Sequence, residues 1–142
     1  MANRTRQHGN FRSGNNLFVD ITNGRVGVGT TVPSTALQVA GTITCVDVNS
    51  TSDINLKENI HSIDDPLGKV MQINGVGFRW KDTKEDAIGV IAQDIEEVIP
   101  EVVKNTDHIK TVNYNGLIGV LIEAIKEQQR QILELKAQIN DK

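Results

Sequence analysis

Aromatic side chains are scarce in this 142-residue sequence: three phenylalanines, one tyrosine and one tryptophan, 4% in all. So little bulk excludes one large core and suits a small domain joined to an extended or oligomeric part. A single cysteine, Cys45, leaves no internal disulfide. A reducing folding compartment is expected, with Cys45 a buried small hydrophobe. No basic block is present and the net charge is −3, which gives no reason to expect nucleic acid or an anionic membrane as partner. No run approaches the ~20 apolar residues of a membrane span. Arg4, Arg6 and His8 are followed by no apolar run, so no signal peptide is visible and synthesis in the cytosol is expected. His8, His61 and His108 share no metal-ligand spacing with Cys45. Gly27 and Gly29 are not followed by Gly-Lys-Ser/Thr, so no phosphate loop is indicated. Neither a metal nor a cofactor is expected.

What is present divides into two parts. Residues 1–16 are polar and read as a tail or the end of an upstream module. Leu17 to Ile21 predicts a short strand and Asn23-Gly24 a tight turn. Arg25 to Thr31 alternates valine with glycine. Glycine inside a strand costs stability unless backbones approach closely, and chains interleaved about a three-fold axis are one such reason. After Pro33 and Ser34, residues 36–44 predict another strand, continued through Val46 and Val48. Strands with so few large side chains make a marginal sheet. The expectation for residues 1–51 is an intertwined β-structure completed by other copies of the chain. The alternative is a small meander docked on the second half.

The second part predicts a small α+β domain. Asp65 is placed as the N-cap and Pro66 in the first turn of a helix whose apolar face holds Leu67, Val70, Met71 and Ile73. Val76, Phe78 and Trp80 alternate along a strand. Residues 87–92 predict its antiparallel mate. Gln93 to Ile99 predicts a helix stopped at Pro100. A last hairpin is expected around Asn105-Thr106-Asp107. The expected core is Phe78, Trp80, Ile88, Ile91, Ile95 and Ile99. Asp64-Asp65 and Glu96-Glu97 are expected to be a cap and a solvated face rather than paired catalytic carboxylates.

The clearest periodicity comes last. Ile118, Leu121, Ile125, Gln128, Ile132, Leu135 and Ile139 are spaced 3-4-3-4-3-4, a heptad seam over residues 117–140. Residues 117–125 are apolar nearly all round and suit packing on the domain itself. From Gln128 onward the helix has no local partner, and self-association is expected. Isoleucine and leucine in these positions suit two strands in simple peptides, so periodicity does not fix the strand number.

At the junction of the two parts stands Ser52-Asp53-Ile54-Asn55-Leu56-Lys57-Glu58-Asn59-Ile60. A lysine shielded from water can take the proton of a serine hydroxyl, and attack on an adjacent peptide carbonyl would be intramolecular. Serine and lysine are common, and five positions is no diagnostic spacing. On spacing alone, Ser52 or Asp53 capping a turn beside a solvated Lys57 is the simpler reading.

Together with Val76 to Lys81, Ile88 to Asp94, Ile99 to Val103, Thr111 to Tyr114 and Leu121 to Glu127, that stretch resembles the C-terminal intramolecular chaperone domain of phage tail spikes and tail fibres, the peptidase S74 family. The resemblance runs through residues 52–142. Residues 24–43 are similar, more loosely, to the repeats that precede this domain in phage fibres. The resemblance implies a homotrimer whose chaperone domain helps three chains wind into a triple-β-helix-like fibre. The domain then releases itself by cutting beside the serine. Ser52 carries over as nucleophile and Lys57 as its base, with Thr51-Ser52 or Ser52-Asp53 as the bond cut. Many members have arginine where this chain has Asn55. The implied partners are other copies of the chain, other virion tail or fibre proteins and a host-surface receptor. The implied location is the virion, after assembly in the host cytoplasm. Two other readings follow from the residues: an uncleaved structural tip or adaptor, and a serine–lysine protease acting in trans.

Overall fold

A computed structural model describes residues 11–13, 16–106 and 109–140. The architecture is α+β, with small sheets and a long last helix. The chain divides into two compact units, residues 1–56 and 57–142.

The first unit is a four-stranded sheet in the order β1 (Phe11–Ser13), β2 (Leu17–Asp20), β3 (Arg25–Val28) and β4 (Leu37–Val39). β1, β2 and β3 are antiparallel neighbours. The β2–β3 turn is built on Asp20, whose carboxylate accepts the Asn23 backbone N–H at 3.0 Å and its side-chain amide at 2.7 Å. Those bonds hold the Asp20 carboxyl below its ordinary pKa, the Asn23 side chain foremost. Gly24 closes the turn at φ +64, a region open to glycine without a Cβ penalty. β4 returns parallel to β3, pairing Val26 with Leu37 and Val28 with Val39. Parallel neighbours ordinarily need a crossover of a dozen residues or more. Here residues 29–36 suffice, because eight residues reach about 27 Å and the strands are only about 13 Å long. The Arg25 guanidinium pins this loop by donating to the Pro33 carbonyl at 2.9 Å.

The close approach anticipated at the Val-Gly alternation is met within the chain. A Cβ on Gly27 would stand 2.3 Å from the Thr30 carbonyl oxygen. The long strand expected over residues 36–44 is cut to β4; residues 40–53 form neither helix nor strand. Cys45 is consequently exposed rather than buried. Among the described residues of this unit, only Gly27 and Pro33 are buried.

The second unit carries α1 (Pro66–Gln72), the hairpin β5 (Val76–Arg79) and β6 (Asp86–Gly89), α2 (Ala92–Val98), the hairpin β7 (Val103–Thr106) and β8 (Ile109–Val112), and α3 (Tyr114–Asn140). Asp65 caps α1, accepting the Gly68 N–H at 3.2 Å, and Pro66 occupies the first turn. A 3-10 turn at Pro100–Val102 follows α2. The Asp107 tip expected for the last hairpin, and His8 and His108, lie outside the described residues.

The core is Ile95, Ile99, Val102 and Val120, with Ile63, Val70, Ile73, Val90, Val98 and Leu117 packed around it. Ile95 and Ile99 are therefore placed as expected. Trp80, Ile88, Ile91 and Met71 are not core residues; Trp80 is 54% exposed and Ile88 89%. The reason is register. β5 and β6 form a two-stranded ladder, pairing Phe78 with Ala87 and Gly77 with Ile88. Phe78 and Ala87 face inward, so Ile88 faces out. Trp80 lies past the end of β5, edge-on to Phe78 at 5.1 Å. Glu96, expected on a solvated face, pairs with Lys110 in a half-buried setting.

Candidate functional site

α3 rises about 40 Å over its 27 residues and presents two stripes of different character. Val120 and Ala124 are buried and Leu117 packs against the core. This stripe docks the first turns of α3 on its own domain. The helix starts where the Asn113 N–H bonds the Val102 carbonyl at 2.7 Å. The second stripe is the heptad seam. Ile118, Leu121, Ile125, Ile132, Leu135 and Ile139 are between 42% and 71% exposed, and Gln128 is exposed with them. The seam thus starts alongside the domain and continues unbroken past it. Residues 128–140 are exposed on every face.

Charged groups of this helix lie off the seam. Arg130 donates to Glu127 at 2.6 Å and also reaches Glu134, and Lys126 pairs with Glu123 at 2.7 Å. The Arg130 hydrogen bond, with Gln131 adding, holds the Glu127 carboxyl below the ordinary glutamate range. The same partners raise the Arg130 guanidinium. At 100° per residue, Glu123, Glu127, Arg130 and Glu134 fall on the side opposite the seam. The seam is left neutral.

The segment Ser52–Ile60 is exposed throughout. Its order is local. Asp53 accepts the Asn55 N–H at 2.8 Å and the Asn55 side-chain amide at 2.9 Å, and its carbonyl accepts the Leu56 N–H at 3.2 Å. A 3-10 turn results at Ile54–Leu56. Asp53 is the capping residue, and Asn55 serves the same turn. Ser52 precedes the turn and Lys57 follows it, the last stretch of the first unit and the first residue of the second. Asn59 adopts φ +53, and its carbonyl lies 2.8 Å from Nδ1 of His61.

The structure therefore gathers all seven seam positions on one helix face. It also shows two apolar side chains the heptad reading passed over, Ile122 and Leu133, both exposed. A period of seven selects one residue per half-repeat and is silent about neighbours that widen the stripe. A cleft of about 630 Å³ beside Ile122 is lined by Ile60, His61, Ile63, Gly119 and Lys126. Among the described residues no group of His, Cys, Asp or Glu side chains could hold a metal ion. No helix there is long and apolar enough to cross a membrane.

Residues 52–104 match the family model Peptidase_S74, chaperone of endosialidase. The chain is 33% identical over 113 residues to long tail fiber protein Gp37 of Salmonella phage S16, a stretch covering 71% of this chain and 15% of that protein. It is 33% identical over 98 residues to long tail fiber protein Gp37 of Enterobacteria phage K3, covering 62% of this chain and 8% of that one. The chain thus spans only a small part of the length of these relatives. Family model and relatives together support a chaperone domain of the phage tail-fibre kind, with residues 52–104 carrying the chaperone-of-endosialidase match.

Proposed function

We propose that this chain assembles as a homotrimer through the α3 seam, templates the folding of the β-rich segment before it, and releases that segment by cutting beside Ser52. The observation that carries the reading is the seam itself: six large apolar side chains in heptad register, exposed along the whole of α3. A row of that length in water marks an interaction surface. Burying roughly half of one such side chain contributes about 1 kcal/mol, so the seam offers several per chain. Three copies, rather than two, is what the family resemblance implies.

The first unit supports the same reading from the other side. It buries no large side chain among its described residues, and such a sheet is marginal alone. Three chains held in register by α3 start their interchain strands at a high local concentration. On this account residues 1–51 are the fibre end and residues 52–142 the chaperone domain. The assembled protein belongs to the virion and meets other tail or fibre proteins there, with a host-surface receptor as a further partner.

For the cut, the Ser52 hydroxyl attacks a neighbouring peptide carbonyl while the Lys57 amine takes its proton. The carbon–nitrogen bond breaks as that proton passes to the leaving amine. Water then hydrolyses the ester and restores the serine hydroxyl. Attack on the Thr51 carbonyl passes through a five-membered ring, whereas attack on Ser52's own carbonyl needs a four-membered one. The Thr51-Ser52 bond is therefore the favoured site. Cleavage makes assembly hard to reverse, because the mature fibre then lacks its template.

Light scattering tests the association directly. The wild-type chain should report three copies, and Ile125→Asp with Ile132→Asp should give monomers or aggregates. A well-folded monomer from the wild type at micromolar concentration overturns the reading. Two copies instead of three would leave the seam standing and remove the trimer.

A further inference from the structure

We infer that an apolar pocket at the flank of the seam receives Ile122 of a neighbouring copy, so that the contact between copies extends from α3 onto the body of the domain. The inference rests on the association through α3 proposed above. The pocket, about 250 Å³, is lined by Val70, Ile73, Gly75, Val90, Leu117, Val120 and Leu121. It is far larger than the ~30 Å³ share of one water, and aliphatic walls give water too few hydrogen-bond partners to be held there. An aliphatic side chain is the occupant such a site fits.

The seam says where that side chain comes from. Successive residues of α3 are 100° apart. Leu117 and Leu121 form the pocket flank of the exposed row, and Ile122 lies at the opposite flank, 47% exposed. In parallel helices related by rotation about a common axis, one flank of each helix meets the opposite flank of the next. The level is right as well, because Val120 and Ile122 differ by only about 3 Å along the helix. The heptad pattern points the same way. The positions equivalent to Ile122 in later repeats are Gln129 and Lys136. That heptad position is apolar at the one level where the domain body stands alongside, and polar in the two later repeats, where α3 has left it. An antiparallel arrangement would put the domain bodies at opposite ends and leave Ile122 facing polar helix.

Cysteine pairing tests the contact in the full chain. Gly75→Cys and Ile122→Cys are combined in a Cys45→Ser background, since Cys45 is exposed. A Cβ on Gly75 meets nothing within 4 Å, so the new side chain is tolerated. Mild oxidation should give disulfide-linked species up to three chains on a non-reducing gel, with peptide mapping finding the 75–122 link. Gly75→Cys alone should stay unlinked. Mixing the two single variants before assembly should give the mixed pair. An oligomer by light scattering that forms no 75–122 link removes the pocket contact while leaving the seam intact. A monomer removes the underlying association. A second variant needs no oxidation: Ile122→Gln, the residue found one repeat later, should raise the concentration for half-dissociation at least tenfold with unchanged circular dichroism. An unchanged midpoint overturns the inference.

Discussion

Gly116 lies flush against Val102: a Cβ at Gly116 would stand 2.6 Å from Cγ1 of Val102. Val102 is buried, and its backbone carbonyl anchors the start of α3. Replacing a helical glycine by alanine normally gains about 1 kcal/mol from propensity. Here the methyl group meets a β-branched side chain with little freedom to turn away, and overpacking of that kind costs about 1–3 kcal/mol. The steric term wins. Gly116→Ala should lower the melting temperature by several degrees in thermal denaturation. Val102→Ala should relieve the clash, so the double variant should lose less than the sum of the single losses. A stabilised Gly116→Ala would show that Val102 can move aside.

The two isoleucines of the α2 region and the β6 strand separate core from surface. Ile95 is 0% exposed and Ile88 is 89% exposed. Ile95→Ala should destabilise by roughly 2–5 kcal/mol in urea denaturation, the range for a buried aliphatic. Ile88→Thr should stay within about 0.5 kcal/mol of wild type. Equal losses at the two sites would mean that Ile88 is covered in the assembled protein.

That pair also marks where the sequence stopped being legible. The cap at Asp65-Pro66 and the heptads of α3 were readable because each depends on residues a few positions apart. Ala87-Ile88-Gly89-Val90-Ile91 reads as a continuous buried run, and only pairing with β5 reveals that one face is open. Cys45 fails for a related reason: the β-branched residues around it suggest a strand, yet within one chain they have no ladder to join. The Ser52–Ile60 segment showed its turn chemistry, with Asp53 as cap. The cleavage proposed for it came from resemblance, because a serine and a lysine five positions apart carry no spacing signal of their own.

Acid should loosen the outer face of α3. Arg130 holds the Glu127 carboxyl below the ordinary glutamate range. A carboxyl with a depressed folded-state value stabilises the helix above that range, and its contribution is lost as pH falls through the folded value. Arg130 is exposed and Glu127 only half-buried, so the effect is small and salt-sensitive. Helicity by circular dichroism should therefore decline as pH drops below about 4, and Glu127→Gln should decline less. Identical acid profiles for the two proteins would count against a structural role for this ion pair.

Mass spectrometry of freshly expressed protein decides the chemistry at the junction. If Ser52 attacks the Thr51 carbonyl, the wild type yields a fragment of residues 52–142, and its first residue is serine. Cleavage at Ser52-Asp53 would instead yield residues 53–142. Ser52→Ala should leave the chain whole, having no nucleophile. Lys57→Ala should cut far more slowly, and raising the pH should restore part of that rate, because bulk hydroxide then substitutes for the missing base. Asn55→Arg, the residue many family members carry, tests whether the local turn limits the rate. The Asp53–Asn55 bonds hold this segment in a turn of its own, so their loss should speed cleavage if that turn must open before attack. Intact wild type under every condition would make the domain a permanent fibre cap. The seam would then account for everything the domain does.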